Sequence, residues 1–422
     1  MDTVGRFRDW FWRPPRAHGD VIRNRVVSPV ELLYDLVYVV VISQAAHTLA
    51  DDVSAVRFAE FAVVFGMIWV GWVNGSLYLD LHGREDGRTR SFVFVQMGIL
   101  ALLAVFTAGA AAADGPAFAV VYAAFLAVLS WLWISVRRYD APEFMAVTRA
   151  YAIGMLASVA VIFVSAFVPP EARLVLWALY SAGWIVGMTV LGWFTGELEK
   201  GASPTHSTVE RFGLFTIIVL GEVVFGVVEG LSSGARDALT IATGAIALVI
   251  GLGFWWIYFD LIGGRFPRNE GRSIVNWMLS HFPITLSIAA AGAGIVSVVE
   301  HAHDPVTPEA TAWLISGAVA MGLIAAIVAM RALDDAQRIP RVYRKLSIAM
   351  AAAALGALAV GLARPAPWVL VLALGAIQTL LWLLAVIWFI QARAWPPPPF
   401  EAVQPGVEGG ASSESGLKQT QK

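Results

Sequence analysis

The segment ELLYDLVYVVVISQAAH, residues 31–47, is apolar and nearly long enough to cross a membrane, yet it contains two acids, a glutamine and a histidine. A second segment, ERFGLFTIIVLGE at residues 210–222, likewise combines an apolar run with an acid at each end. A charged side chain near the middle of a membrane helix costs about 2.5–3.5 kcal/mol even on a lenient scale, so such acids avoid lipid. The two segments indicate a membrane protein whose buried acids are candidate functional residues.

The composition agrees with this interpretation. Of the 422 residues, 58% are hydrophobic and 14% are charged, whereas soluble proteins are nearer about half and about a quarter. The mean hydropathy is +0.70. The absence of cysteine excludes disulfides and thiolate metal sites, and a net charge of −2 gives no electrostatic basis for binding nucleic acid.

Apolar runs between polar breaks predict an all-α, polytopic membrane protein with about twelve transmembrane helices. The predicted spans are residues 29–50, 56–80, 91–113, 117–137, 143–168, 172–194, 208–229, 238–262, 274–299, 310–331, 345–363 and 367–392. Lys and Arg near the helix ends lie mostly in the loops of one side, and the other side has only Arg57, Arg173, Arg236 and Arg364. The excess of positive charge predicts that both termini are cytoplasmic.

Local matches at a nearly constant spacing predict two six-helix repeats. SPVE at residues 28–31 matches STVE at 207–210, and YLDL ending at 81 matches YFDL ending at 261. Six helices per half is an even number, so the repeats are parallel, as in some secondary transporters. The predicted organisation is a basic and aromatic cytoplasmic segment (1–27), a first repeat (28–194), a cytoplasmic linker (195–206), a second repeat (207–392) and a disordered cytoplasmic tail (393–422).

The strings PVELLYDLVYVVVISQAAHTL and HSTVERFGLFTIIVLGE, followed by YFDL and HFPI, resemble the bacterial low temperature requirement protein A (LtrA) family. The similarity covers most of residues 26–390. Family members commonly have phenylalanines in the first motif where this chain has Leu33, Tyr34 and Tyr38. The resemblance implies a multi-pass protein of the bacterial inner membrane, and it supplies an architecture rather than a mechanism.

Two of the acids fit a role at helix starts. Ser28 and Glu31 have the spacing of a capping box, in which each side chain bonds to a backbone amide of the other, and Ser207 and Glu210 repeat it. A carboxylate at this place also lies at the positive end of the helix dipole. We therefore interpret both pairs as helix caps.

Asp35 lies one turn beyond Glu31 on the same helix face. One interpretation is a fixed ion pair with Arg149 or Arg211, and the other is an ion or proton site. Gln44 and His47, on the other side of this helix, are further candidates for ion binding or proton relay.

Glu222 lies about 22 Å along the seventh helix from Ser207, beyond the middle of a ~30 Å hydrocarbon core. It is a candidate proton carrier or a protonated donor between helices, and Gly221 beside it would allow close approach of a backbone or ligand. His281, two residues before Pro283, is a candidate proton relay or a satisfied core histidine.

Asp80 and Asp260 end the second and eighth helices. Each is interpreted either as an ordinary polar residue at a helix end or as an ion-binding residue.

On the sixth helix, Gly183-xxx-Gly187 and Gly192-xxx-Gly196 predict close helix packing.

The favoured function is a secondary transporter or channel-like carrier with a polar centre lined by Asp35, Arg211, Glu222 and His281. A non-transporting structural or regulatory membrane protein, for instance one needed for growth at low temperature, is the alternative. An intramembrane enzyme ranks last, because no nucleophile–base pair or nucleotide-binding motif stands in a suitable context. We expect no cofactor and no metal at EHAHD (300–304), and as partners the lipid bilayer and a small solute or ion.

Overall fold

The structure is a computed structural model. It describes residues 5, 11, 14–17, 27–84, 86–140, 145–194 and 204–392. Most of the predicted N-terminal segment, residues 195–203 of the predicted linker and the whole predicted tail therefore lie outside the described residues.

Twelve long helices make up most of the described chain, and each is long and apolar enough to cross a membrane. They are α1 (Pro29–Asp51), α2 (Ala55–His82), α3 (Gly87–Thr107), α4 (Gly115–Val136), α5 (Met145–Ser165), α6 (Pro170–Phe194), α7 (His206–Ser233), α8 (Ala238–Leu261), α9 (Gly271–Glu300), α10 (Glu309–Ala332), α11 (Pro340–Ala363) and α12 (Pro367–Gln391). A short helix, Asp335–Arg338, precedes α11. The prediction of an all-α protein with twelve candidate spans is confirmed.

Polar residues just outside the apolar runs decide where the helices begin. Ser28 caps α1, because its Oγ accepts from the backbone N–H of Glu31 at 3.4 Å and Pro29 occupies the first turn. Asp86 caps α3 through the backbone N–H of Thr89 at 2.8 Å, so α3 starts earlier than the predicted residue 91. The predicted Ser28 cap is confirmed.

The predicted cap at Ser207 is wrong. α7 begins at His206, and Thr205 is the N-cap, with its Oγ1 accepting from the backbone N–H of Thr208 at 3.1 Å. Ser207 and Glu210 consequently lie inside the first helical turns rather than at the positions of a capping box. The physical reason is a tertiary contact: the Thr205 hydroxyl also donates to Asp80 of α2 at 2.6 Å, which fixes Thr205 at the helix start.

The long helix α9 lies at the centre of the molecule, and nearly all of its side chains beyond the first turn are buried. It packs against α1, α2 and α6 of the first half (α1–α6) and against α7, α8 and α10 of the second half (α7–α12). Small residues make this possible, since a Cβ added to Gly292 would lie 2.6 Å from the backbone oxygen of Glu222 on α7. The central helix therefore joins the two halves.

The helices of each half follow the same order of packing neighbours. In the first half α1 contacts α2 and α3, α3 contacts α4, α4 contacts α5, and α6 contacts α5 and α2. In the second half α7 contacts α8 and α9, α9 contacts α10, α10 contacts α11, and α12 contacts α11 and α8.

The glycines of α6 do not all serve the predicted close packing. Gly192 does, because a Cβ on Gly271 of α9 would overlap the Gly192 backbone. Gly183 and Gly187 do not, because a Cβ added to either would meet no described atom within 4 Å. Gly196 lies outside the described residues. The Gly183–Gly187 pair lines a cavity instead of a helix contact.

Candidate functional site

The buried ion pair between Asp35 and Arg211 is the centre of the candidate site. Arg211 on α7 donates from Nη2 to Asp35 Oδ1 at 2.7 Å and from Nε to Oδ2 at 3.4 Å. The Asp35 side chain is 0% exposed and that of Arg211 is 1% exposed. Of the two partners expected for Asp35, the structure selects Arg211, whereas Arg149 is exposed on α5. Two opposite charges that are removed from solvent stabilise each other only when they are paired in this way.

Aromatic rings enclose the ion pair. Trp72 of α2 donates from Nε1 to Asp35 Oδ1 at 2.9 Å, and its ring stacks on Phe215 at a centroid distance of 4.0 Å. Sequence reasoning did not identify Trp72 as part of the site, because nothing in the local sequence of α2 links it to Asp35.

One nitrogen of the ion pair has no partner: Arg211 Nη1 is buried and has no hydrogen-bond acceptor among the described residues.

Glu222 lies farther along α7 and is 4% exposed. Its Oε2 accepts from the Ser43 hydroxyl of α1 at 3.3 Å. The neighbouring Gly221 does not provide the expected close approach, because a Cβ there would meet nothing within 4 Å. The close approach is instead made from the opposite helix by Gly292, which packs against the Glu222 backbone. Glu222 is thus held at the contact of α1, α7 and α9.

His281 of α9 has a partner on each ring nitrogen. Its Nδ1 lies 2.6 Å from the backbone oxygen of Trp277, so Nδ1 carries the proton. Its Nε2 lies 2.9 Å from Tyr258 Oη and therefore accepts from that hydroxyl. The ring also contacts Phe212 and is 1% exposed. This geometry is that of a neutral, satisfied core histidine, one of the two roles expected for it.

Asp80 and Asp260 both bind a neighbouring helix. Asp80 accepts from the hydroxyls of Thr205 and Thr208, each at 2.6 Å, and so holds the start of α7 against the end of α2. Asp260 Oδ2 accepts from Trp382 Nε1 of α12 at 2.7 Å. Both acids therefore have more specific partners than a plain helix-end role requires.

The remaining residues predicted near the site lie in different places. Gln44 and His47 are half-buried on α1, and the His47 ring contacts Phe225 of α7 at a centroid distance of 4.6 Å. Glu31 is buried in the first turn of α1. Glu210 Oε2 accepts from the backbone N–H of Val27 at 3.3 Å, and this contact holds the start of α1.

Arg16 precedes α1 and is buried at the end of α2. Its Nε donates to the backbone oxygen of Gly83 at 2.7 Å, and its Nη2 donates to the backbone oxygen of Asp80. The described part of the basic N-terminal segment thus binds carbonyls at the C-terminal end of a helix, where a cation is favoured.

Among the described residues, five polar contacts between the two halves reach α7, its cap or both. They are Val27–Glu210, Asp35–Arg211, Ser43–Glu222, Asp80–Thr205 and Asp80–Thr208. We refer to these five as the interhalf contacts. The structure therefore places Asp80, which was not part of the predicted polar centre, in one line of contacts along α7 with Asp35 and Glu222.

The histidines of the EHAHD segment have other partners. His303 Nε2 lies 2.5 Å from Asp237 Oδ2, and His301 Nδ1 lies 2.8 Å from the backbone oxygen of Ser297. Within the part of the chain that the structure describes, no group of three or more His, Asp or Glu side chains is arranged to hold a metal ion.

A cavity of about 550 Å³ lies beside the ion pair rather than at it. Residues of α2, α4, α5, α6 and α9 line it, together with Thr208 at the start of α7. It reaches the interhalf contact of Asp80 with Thr208 but not Asp35, Arg211, Glu222 or His281. The residues of the predicted polar centre are therefore outside this cavity, and all four are buried.

Comparisons with known proteins agree with the architecture. An uncharacterized protein of Rhizobium meliloti is 29% identical over 237 residues, which cover 54% of this chain and 57% of that protein. The match thus spans little more than half the length of this curated relative. No solved structure matches the chain. The family model of the bacterial low temperature requirement A protein (LtrA) matches residues 26–389. With twelve candidate spans and a family match over most of its length, the chain belongs to the LtrA family of multi-pass membrane proteins.

Proposed function

We propose that this member of the LtrA family is a secondary carrier of the bacterial cytoplasmic membrane, which moves a small solute or ion by rearranging its two halves about α7. The interhalf contacts carry the proposal. They place buried charges and hydrogen bonds at the boundary where a carrier changes shape. In a low-dielectric interior such contacts are strong when formed and costly when one partner is missing, which favours two discrete arrangements over gradual deformation.

The proposal includes two parallel six-helix repeats, residues 28–194 and 207–392. The common order of packing neighbours in α1–α6 and α7–α12 supports it. The contacts between the halves are not reciprocal, however, since α9 packs on α1, α2 and α6 while its counterpart α3 packs chiefly on α1 and α4. In coordinates from electron cryo-microscopy we expect the halves to superpose by rotation about the membrane normal. A best fit that inverts one half would contradict the repeat.

Cytoplasmic termini and the absence of enzymatic chemistry are part of the same proposal. In this arrangement the ends of α2 and α6 and the starts of α7 and α9 lie at the cytoplasmic surface.

A second candidate function is a non-transporting structural or regulatory protein. The observation that favours it is that Asp35, Asp80, Glu210 and Glu222 all accept hydrogen bonds from the opposite half. A rigid scaffold would show the same contacts. The two functions differ in whether the contacts open.

Spin labels can decide between them, because the chain has no cysteine and introduced cysteines are unique. The pair Val56→Cys and Arg236→Cys reports on the proposed extracytoplasmic surface. The pair Arg138→Cys and Arg341→Cys reports on the proposed cytoplasmic surface. All four residues are exposed. For a carrier we expect two populations of label-to-label distance in each pair. When the distance across one surface increases, the distance across the other should decrease. A single distance for both pairs under all conditions would exclude the carrier.

Glu222→Gln tests whether a titrating acid is needed. Gln keeps the size and the hydrogen bonding of Glu but cannot titrate. If Glu222 carries protons or binds a cation, the variant should reach normal membrane abundance and fail to complement growth of a host that lacks this gene. Full complementation at normal abundance would remove this role and leave the scaffold as the favoured function. Glu229→Gln makes the same change at an exposed acid of α7 outside the interhalf contacts, so it is the matched control and should retain activity.

A further inference from the structure

The cavity of about 550 Å³ lies between helices, and we refer to it as the slot. Along α5 its lining residues run from Thr148 to Val161, which corresponds to about 20 Å at 1.5 Å per residue. Along α6 they run from Leu176 to Leu191. Since the hydrocarbon core is about 30 Å thick, the slot extends from one membrane surface past the middle of the bilayer.

Glycine gives the slot its width. Gly183 and Gly187 line it, and neither has a described neighbour within 4 Å of where a Cβ would stand. Beside these glycines, Trp184 Nε1 of α6 donates to Ser158 Oγ of α5 at 2.9 Å, and farther along the α5–α6 seam Trp177 Nε1 donates to Ser165 Oγ at 2.8 Å. A Gly-xxx-Gly spacing, which is typical of close helix contacts, here leaves open space between the helices.

The slot is open towards lipid. Leu179 and Val161 line it and are 63% and 39% exposed, on two helices that span the membrane. Because the exposed surface of such helices faces the acyl chains, a molecule dissolved in the bilayer can enter sideways along the α5–α6 seam. A ligand from the membrane is thus favoured over one from water.

The two ends of the slot differ in polarity. Asp80, Thr148 and Thr208 lie at the end nearest the membrane surface, and the far end contains Val161, Leu176 and Leu179. The slot is thus lined by polar groups where a head group would sit and by apolar groups where a chain would extend. Among the described residues that line it there is no Lys or Arg. A negatively charged head would lie beside the Asp80 carboxylate, so an uncharged head is favoured.

We propose that this slot binds one uncharged, single-chain amphiphile of the membrane, such as a monoacylglycerol, with its polar head near Thr148 and Thr208 and its chain along the α5–α6 seam. The inference concerns binding alone and holds whether or not the chain transports a solute.

The test uses the full chain in lipid nanodiscs and a monoacylglycerol with a photoactivatable diazirine at the end of its acyl chain. After irradiation, modified peptides are identified by mass spectrometry. We expect saturable labelling concentrated on residues 154–187. Unlabelled monoacylglycerol should compete, and the fatty acid of the same chain length should compete more weakly, by about tenfold in concentration.

Gly187→Leu should fill the slot and reduce the labelling by about tenfold, and its Cβ would have no described atom within 4 Å. Gly98→Leu is the matched control, since Gly98 on α3 also has no neighbour within 4 Å but lies outside the slot. If Gly187→Leu fails to insert, Ala157→Leu fills the same slot from α5. Labelling spread evenly over the lipid-facing helices, or unchanged in a slot-filling variant, would show only surrounding bilayer lipid and overturn the proposal. Equal competition by the fatty acid would overturn the uncharged head.

Discussion

Arg211 on α7 holds Asp35 on α1 by two hydrogen bonds, at 2.7 and 3.4 Å, across the boundary between the two halves of the molecule. Both side chains are inaccessible to solvent. Such a pair gives little net stability compared with an apolar contact of the same shape, but it penalises any state in which only one charge remains buried. The pair therefore fixes the relative position of α1 and α7.

Removal of one charge should be far more damaging than removal of both. We expect Asp35→Asn to lower the free energy of unfolding by about 3–5 kcal/mol, because the Arg211 guanidinium is left uncompensated. The double variant Asp35→Leu with Arg211→Met should regain most of that loss. Denaturant titration in detergent micelles measures both. Equal stability of Asp35→Asn and the wild-type protein would mean that the ion pair is not formed.

Thr205 is expected to stabilise the fold through two hydrogen bonds of its hydroxyl group. Thr205→Ala removes the cap of α7 and the hydroxyl that donates to Asp80, so we expect a loss of about 2 kcal/mol or more. Thr205→Ser keeps both bonds and should remain near the wild-type stability. A neutral Thr205→Ala in thermal unfolding assays would indicate that α7 starts at Ser207 after all.

Close packing of α7 on α9 should be sensitive to a single methyl group. In Gly292→Ala the new Cβ would lie 2.6 Å from the backbone oxygen of Glu222, so the helices must move apart, with a loss of about 1–3 kcal/mol. Gly98→Ala, where no atom lies within 4 Å, should lose nothing. The comparison is made by heating both variants in detergent and measuring the folded fraction. Equal melting of the two would contradict the contact.

The orientation of the chain follows from its charges. Reporter fusions after Lys200 and after Arg393, positions outside the described residues, should both report the cytoplasm, and one after Arg236 should report the opposite side. An extracytoplasmic signal at either of the first two sites would contradict the even number of crossings in each half.

Asp237 should make stability depend on pH in the acid range. The backbone N–H of Thr240 and, next, the side chain of His303 lower the pKa of the Asp237 carboxyl. A carboxyl whose pKa is lowered in the folded state contributes stability above its ordinary pKa and loses it as the pH falls through the lowered value. Melting temperatures from about pH 7 down to about pH 3 should therefore fall less steeply for Asp237→Asn than for the wild-type protein. Parallel curves would exclude this contribution.

The sequence by itself determined the number and approximate extent of the helices. In lipid every backbone group must be satisfied within its own segment, so apolar runs of sufficient length become helices whatever surrounds them. The same reasoning kept Asp35 away from lipid, because an isolated charge is costly there, but it left a fixed ion pair and an ion or proton site as alternatives. The cap at Ser28 was also local, since Ser28, Pro29 and Glu31 form it within one turn.

Only the tertiary structure decided which partners these residues take. Arg211 rather than Arg149 pairs with Asp35, and Thr205 rather than Ser207 caps α7. Both outcomes depend on contacts between helices that are distant in the sequence, namely Arg211 of α7 with Asp35 of α1 and Thr205 of the α7 cap with Asp80 of α2. The Gly-xxx-Gly spacing on α6 does not by itself show whether the glycines form a helix contact or line a cavity. What separates the two outcomes is the position of α5, and that position depends on side-chain packing among helices that local sequence does not specify.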